Sequence, residues 1–451
     1  MQTDVLVIGG SAGGILAALS AKKAYRDKKV TVIRMAERVM VPCGIPYIFG
    51  TLKDTSKNVI PDSMLTNAGV ELVIDEVVSI DRENKKVLTK KSGDIFYKKL
   101  ILATGSLPVV PTFIPGYDLE NIFTIKKEEE YLKYVQQKIN EAEDVVVVGG
   151  GFIGVEMAEQ IQLLGKNVTI IEVADKLLWQ AFDPEFSDMA EAKLKEHGIK
   201  VLTGTKVTRF IGDKKVKEVE IDSGEKIKAD VVIVAMGVKP NTKLAEEAGI
   251  KVNEKGAITV DEYMRTNDPD IFAVGDCAEK KCFFTRKNVP ILLASIAANE
   301  AKIAGVNAFE LRLVRENKGT ISAFSTKIYN TAFGAAGLTE TQARAEGFDI
   351  IVGEFNTMDK HPGTLPNTMN VKIKLIFSRC SGVMLGAQLA GGDNVGEMIN
   401  ILSVAIQKGT TASELATFQV ATHPLLTPSP VSYPISSAAL DALAAFCQRR
   451  S

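Results

Sequence analysis

The sequence predicts an α/β protein with two parallel-sheet nucleotide-binding units followed by a smaller C-terminal α+β region. Two observations carry the first part. "DVLVIGGSAGGILAALSAKK" (4–23) and "DVVVVGGGFIGVEMAEQIQLLG" (144–165) repeat one order of buried strand, glycine-rich turn and helix opening on small residues. The third observation is a change of pattern after about residue 321, where segments alternating apolar and polar residues are mixed with amphipathic stretches.

Length and composition set the frame. A chain of 451 residues is too long for one ordinary core, so two or three domains are expected. Apolar residues make up 46% and charged residues 24%, the balance of a soluble globular protein. A formal net charge of −1 gives no electrostatic reason for nucleic acid or an anionic membrane as partner. The longest apolar runs, such as "PILLASIAA" (290–298), fall far short of a membrane span, and the N-terminus enters a strand without an expected leader. The five cysteines (43, 277, 282, 380, 447) are odd in number and lack metal-ligand spacing, so no metal is expected. A reducing, cytoplasmic setting fits.

The second glycine turn is the more regular. Gly149 makes the tight turn, Gly151 lets backbone approach a pyrophosphate, and Gly154 allows close helix–strand packing. Phe152 and Ile153 open the helix, whose free N–H groups and dipole favour phosphate. The next strand, "NVTIIE" (167–172), ends in Glu172, an acceptor for ribose hydroxyls that would repel a 2′-phosphate. NADH is therefore preferred, with NADPH left open by nearby Lys176. In the first turn (Gly9, Gly10, Ser11, Ala12, Gly13, Gly14) serine replaces the middle glycine, and the following strand ends in Arg34, whose guanidinium could stack on adenine. Two unequal turns suggest two different dinucleotides.

Further landmarks assign them. "KKLILATGSLPVVP" (98–111) is a buried strand ending in Ala103, Thr104 and Gly105, and "ADVVIVAMGVKPNT" (229–242), with Gly237, is its counterpart. "TNDPDIFAVGDCAE" (266–279) delivers Gly275 and Asp276 at a strand end, where an acid can accept from the sugar-alcohol chain that distinguishes FAD from NAD.

With Gly9–Gly14, Cys43, Ala103–Gly105, Gly149–Gly154 and Gly275–Asp276 in this order, the sequence resembles the flavoprotein disulfide reductase family along essentially its whole length. It looks like the single-cysteine branch: coenzyme A disulfide reductases, NAD(P)H persulfide or polysulfide reductases, and NADH oxidases and peroxidases. The resemblance implies two Rossmann-like domains and a dimerisation domain: FAD in 1–112 and 251–320, NAD(P) in 113–250, and dimerisation in 321–451. It further implies FAD and NADH as cofactors, coenzyme A as a candidate substrate moiety or bound thiol, and a homodimer whose active sites are shared across the interface. No sulfur-transferase domain follows in the sequence, so a persulfide is expected as a small molecule or from a separate protein.

The resemblance turns attention to Cys43 in "VPCGIPYIFG" (41–50). Two-cysteine relatives carry a partner thiol five positions on, where Ile48 stands, so the oxidised state is a mixed disulfide, persulfide or sulfenic acid. Pro42, Gly44 and Pro46 fix the loop, and a helix starting near Pro46 is expected to stabilise the thiolate. Pro42 and Val77 are carried over as flavin contacts, and Ala294 as the helix start near the flavin pyrimidine. Glu156 matches the family's acid near the flavin. His423 in "VATHPLL" is the acid–base candidate, without the supporting acid because Pro428 stands in its place, and Tyr433 is the alternative. His361 could line the substrate mouth, and Lys22 and Lys23 match basic residues that hold coenzyme A phosphates.

The resemblance implies an NAD(P)H-dependent reductase of persulfides or disulfides. The alternatives are an oxidase or peroxidase cycling Cys43 through sulfenic acid, or an electron-transfer reductase of a small iron protein.

Overall fold

The computed structural model describes residues 1–314 and 319–447, with the side chain of Cys447 outside the described set. Two five-stranded parallel sheets and one five-stranded antiparallel sheet form its frame. The first sheet runs in the order 271–273, 99–102, 5–8, 30–34, 71–74, and the second in the order 122–124, 231–234, 144–148, 167–171, 200–202. In each, the middle strand precedes a glycine turn. Val5–Ile8 and Val145–Val148 are buried on both faces, which explains their unbroken apolar runs.

The strand 271–273 completes the first sheet although it lies in sequence beyond the second. Between the sheets, the short antiparallel pair Ser106–Pro108 and Val238–Pro240 carries the chain across and back. Thr104 Oγ1 donates to Asn241 O at 2.6 Å and Asn241 N to Gly105 O at 2.9 Å, so the two crossings are tied together.

The C-terminal region is an antiparallel sheet ordered 324–328, 331–337, 384–391, 370–378, 350–358. Helices Val395–Lys408 and Pro434–Cys447 join its hydrophobic core. Thr339 caps the helix Glu340–Ala345 through a capping box with Gln342. Buried Lys374 on this sheet pairs with Asp183 at 3.3 Å, Glu185 at 2.6 Å and Glu340 at 2.7 Å, while Gln388 Nε2 donates to Asp183 at 2.6 Å. This ionic cluster joins the second nucleotide unit to the C-terminal sheet. No helix among the described residues is long and apolar enough to cross a membrane.

Candidate active site

Cys43 lies in a single 3-10 turn, Pro42–Gly44, with Ile45 N donating back to Pro42 O at 3.3 Å. Pro42 opens that turn with the φ it prefers and no N–H to lose. Gly44 is required by a neighbour, since an added Cβ would sit 2.0 Å from Asn58 Oδ1. Asn58 in turn binds Val41 through both backbone and side chain, at 2.8 and 3.0 Å. The helix that follows, Tyr47–Gly50, is only four residues long. Ile45, Ile48 and Phe49 are buried, so the turn is anchored while the Cys43 side chain stays exposed.

The second nucleotide unit holds this loop. Gln136 Nε2 donates to Ile48 O at 2.8 Å, and Gln160 Oε1 accepts from Thr51 N and Oγ1 at 2.9 and 2.7 Å. Helix Phe152–Gln162 thereby presents Glu156 and Glu159 to the same region. Burial pushes the Glu156 carboxyl up to about 7, against one hydrogen bond from Thr326 Oγ1 at 2.8 Å and with Glu159 adding like charge. Burial likewise raises Glu159, whose Oε1 accepts from Tyr329 N at 2.7 Å while its Oε2 is buried without a hydrogen-bond partner among the described residues. The protein packed around Cys43 also pushes its thiol up. Desolvation leads, Glu156 and Asp276 add negative charge, and Lys127 acts the other way.

The expected stabilisation of the thiolate by a helix start is therefore corrected. A four-residue helix has too few aligned peptides to offset desolvation and two carboxylates. The sequence reading also missed Lys127 and Tyr47. Lys127 Nζ lies 3.7 Å from Asp276 Oδ2. Tyr47, raised by burial and by Glu156, Glu159 and Cys43, comes one helical turn after Cys43, a spacing that was readable.

Both glycine turns have the shape of phosphate cradles. An added Cβ at Gly151, Gly105 or Gly237 would meet no atom within 4 Å, so open space lies beside those backbones. Helices Ala12–Ala24 and Phe152–Gln162 begin at Ser11 and Gly151 with no side-chain cap, leaving their first N–H groups for an anion. Asp276 Oδ2 accepts from Ser106 Oγ at 2.7 Å, and Oδ1 has no partner among the described residues. Its turn is pinned by buried Lys280, which donates to Gly275 O and Ala278 O at 2.7 Å, and by Glu300, which accepts from Gly275 N at 2.9 Å. Ala294 starts the helix Ala294–Val306, uncapped by a side chain, and Ala297 Cβ lies near Gly13 and Gly275. These groups fit two dinucleotides.

The other predicted residues are placed as follows. Arg34 is held by its own neighbours. Its buried guanidinium donates to Ala36 O and Glu37 O at 2.8 Å and pairs with Asp62 at 2.7 Å. Glu172 is buried, and its two oxygens accept from Gly150 N at 2.5 Å and Ala174 N at 2.7 Å, so it braces the turn as well as facing it. Phe152 stacks on Phe324 at 5.1 Å, while Ile153 is exposed. Val77 packs against the first core. Lys22 closes its own helix end by donating to Arg26 O and Lys28 O at 3.0 and 2.9 Å, leaving Lys23 as the exposed cation.

His361 packs against the loop that carries His423: His361 N donates to Pro424 O at 3.1 Å, and its Nδ1 lies 3.1 Å from Thr427 O. His423 is exposed, whereas Tyr433 is buried against Phe418 in that domain's core, where burial raises its phenol. Within one chain no described hydrogen bond or ion pair joins these residues to Cys43.

Comparison with known proteins agrees with this geometry. Residues 3–301 match the pyridine nucleotide-disulphide oxidoreductase family and residues 324–432 its dimerisation domain. The chain is 32% identical to an NADH oxidase of Methanocaldococcus jannaschii, covering 97% of this chain and 98% of that one. It is 34% identical to a CoA-dependent NAD(P)H sulfur oxidoreductase of Pyrococcus abyssi, covering 87% and 88%. The solved structure of an NAD-dependent persulfide reductase from A. fulgidus superposes with a TM-score of 0.91 at 32% identity, covering 100% of this chain and 84% of that one.

Proposed function

The chain belongs to the pyridine nucleotide-disulphide oxidoreductase family, and from that premise we propose that it reduces low-molecular persulfides and disulfides through Cys43. FAD and NAD(P)H are its cofactors. One observation carries the reading: an accessible lone thiol, with buried Ile48 where a resolving cysteine would stand, beside a carboxyl titrating near neutrality.

The chemistry balances on this chain's own groups. The Cys43 thiolate attacks one sulfur of R–S–S–R′, forming Cys43–S–S–R and expelling R′–S⁻. With R–S–SH, attack on the outer sulfur gives Cys43–S–SH and R–SH. Bound FAD would supply the electron pair of NADH; with it the new bond is split, Cys43 returns to thiolate and R–SH or H₂S leaves. Glu156, neutral below about pH 7, is suited to protonate a departing sulfur and recover its proton from solvent.

Gly9–Gly14, Arg34, Pro42, Val77, Ala103–Gly105, Asp276 and Ala294 form the FAD side, and Gly149–Gly154, Glu172 and Gly237 the nicotinamide side. The dimerisation-domain match supports a homodimer, in which exposed His423 reaches the partner's Cys43 as second acid–base. His423 is preferred to Tyr433 because it is open to solvent. Lys23 and His361 are the remaining candidates for contacts with coenzyme A.

The M. jannaschii relative favours a second reading, NADH oxidation by oxygen through a Cys43 sulfenic acid. Anaerobic NADH oxidation with coenzyme A persulfide as sole acceptor separates the two. Turnover that is lost in Cys43→Ser supports the reductase. Turnover surviving that change contradicts it, and a higher rate with oxygen alone favours the oxidase.

A further inference from the structure

We propose that Trp179, the chain's single tryptophan, is the platform on which the adenine of NAD(P)H stacks. The proposal rests on the assignment of the second glycine turn to the nicotinamide cofactor and adds the residue that grips the cofactor's far end. A dinucleotide laid on such a turn has its pyrophosphate at the helix start and its adenosine ribose at the acid closing the next strand. Here these are the start of helix Phe152–Gln162 and Glu172, which follows strand Asn167–Ile171. The base, one ring beyond the ribose, then meets the segment 173–182.

That segment is packed onto the turn itself. Leu178 N donates to Gly150 O at 2.9 Å, and a Cβ on Gly150 would lie 2.3 Å from Leu177 Cδ2 and 3.0 Å from Glu172 Cβ. Leu178 adopts a φ of 56°, a left-handed conformation that a leucine holds only where its surroundings compel it. Leu177 and Leu178 are buried, whereas Trp179 directly after them is 54% exposed. Consecutive Cα atoms are about 3.8 Å apart, so the indole is rooted one residue from the group that touches Gly150. The kink thus holds the chain's largest apolar side chain in water at the edge of the cradle.

Its surroundings suit a base. Val173, Ile153 and Met236 are exposed as well, and they follow the second sheet's strands or open its helix at the end where nucleotides bind. The segment's own cation, Lys176, is paired with Asp188. An aromatic face with apolar neighbours is what a purine ring stacks on, and such stacking strengthens binding about tenfold.

The test uses the oxidised holoenzyme and two halves of the cofactor: ADP-ribose, which carries the adenine, and nicotinamide mononucleotide, which lacks it. ADP-ribose is expected to quench Trp179 fluorescence saturably, and nicotinamide mononucleotide to leave it unchanged. In Trp179→Ala the Kd of ADP-ribose, measured by calorimetry, should rise about tenfold, and KM for NADH by the same factor with kcat little changed. Trp179→Phe should keep most of the affinity, and FAD content and melting should stay at wild type in both variants.

ADP-ribose that binds without quenching, or that binds Trp179→Ala as tightly as wild type while Glu172→Ala weakens it, overturns the platform alone. ADP-ribose binding that neither Glu172→Ala nor Trp179→Ala changes overturns the assignment of the second turn, and the platform with it.

Discussion

The two glycine turns share a frame and differ in what they present. In the first, a Cβ on Gly14 would lie 1.9 Å from Gly9 O, and in the second a Cβ on Gly154 would lie 1.9 Å from Gly149 O. Gly9 and Gly149 adopt φ of 115° and 113° and abut the carbonyls of Ala103 and Ala235. Backbone packing therefore demands the outer glycines in both turns. The middle position is freer: Ser11 stands where Gly151 meets only open space. Further along the helices, Leu16 and Leu19 pack on the first core, while the corresponding Glu156 and Glu159 face the redox loop. One frame thus serves as a plain cofactor cradle in the first unit and carries the site's acids in the second.

The comparison breaks first at the shared glycines. Gly14→Ala and Gly154→Ala force a methyl group onto backbone and should each cost about 3 kcal/mol or more, read as loss of a cooperative melt. Tolerance of either would mean the turns are not built alike.

Glu156→Gln tests the divergent helices next. Its carboxyl rises from 4.5 to about 7 in the fold, so between those values the folded chain keeps a proton that the unfolded chain has lost. Stability contributed at this site falls as pH rises through that window. The variant should be more stable by up to about 3 kcal/mol above pH 7 and equal to wild type near pH 4 in denaturant titrations. Its turnover at pH 7 should drop about 100-fold. An unchanged pH slope would show that Glu156 is not held neutral.

The strand-end residues give a smaller contrast. Glu172→Ala leaves Gly150 N and Ala174 N without their acceptor and should cost about 1–3 kcal/mol while raising KM for NADH. Arg34→Met should destabilise by a similar amount without moving that KM, because its partners are Ala36, Glu37 and Asp62. The smallest effects belong to the middle position. Ser11→Gly should shift stability by only a few tenths of a kcal/mol, since Ser11 makes no cap bond.

The sequence made legible whatever depends on a few consecutive residues. Glycine turns, buried strands, the Thr339 cap and Cys43 between Pro42 and Gly44 are local patterns. The thiol's electrostatics were not legible, because Lys127, Glu156 and Asp276 approach it from segments more than 80 residues distant in the chain. Nothing in "IKKEEE" (125–130) tells its two lysines apart, and only the fold shows that Lys127 faces Asp276 while Lys126 covers Tyr131. The partners of Lys22 and Arg34 were hidden for the same reason. Their charges are taken up by carbonyls and a carboxylate that the periodic pattern does not reveal.

The central claim is that Cys43 exchanges with the substrate's sulfur and is restored by NADH. The direct measurement is the intact mass of the protein after anaerobic incubation with coenzyme A disulfide, before and after NADH. The account predicts a single coenzyme A adduct per chain, mapped to Cys43 and discharged by NADH. An adduct confined to Cys380, or one on Cys43 that NADH leaves in place, would contradict it.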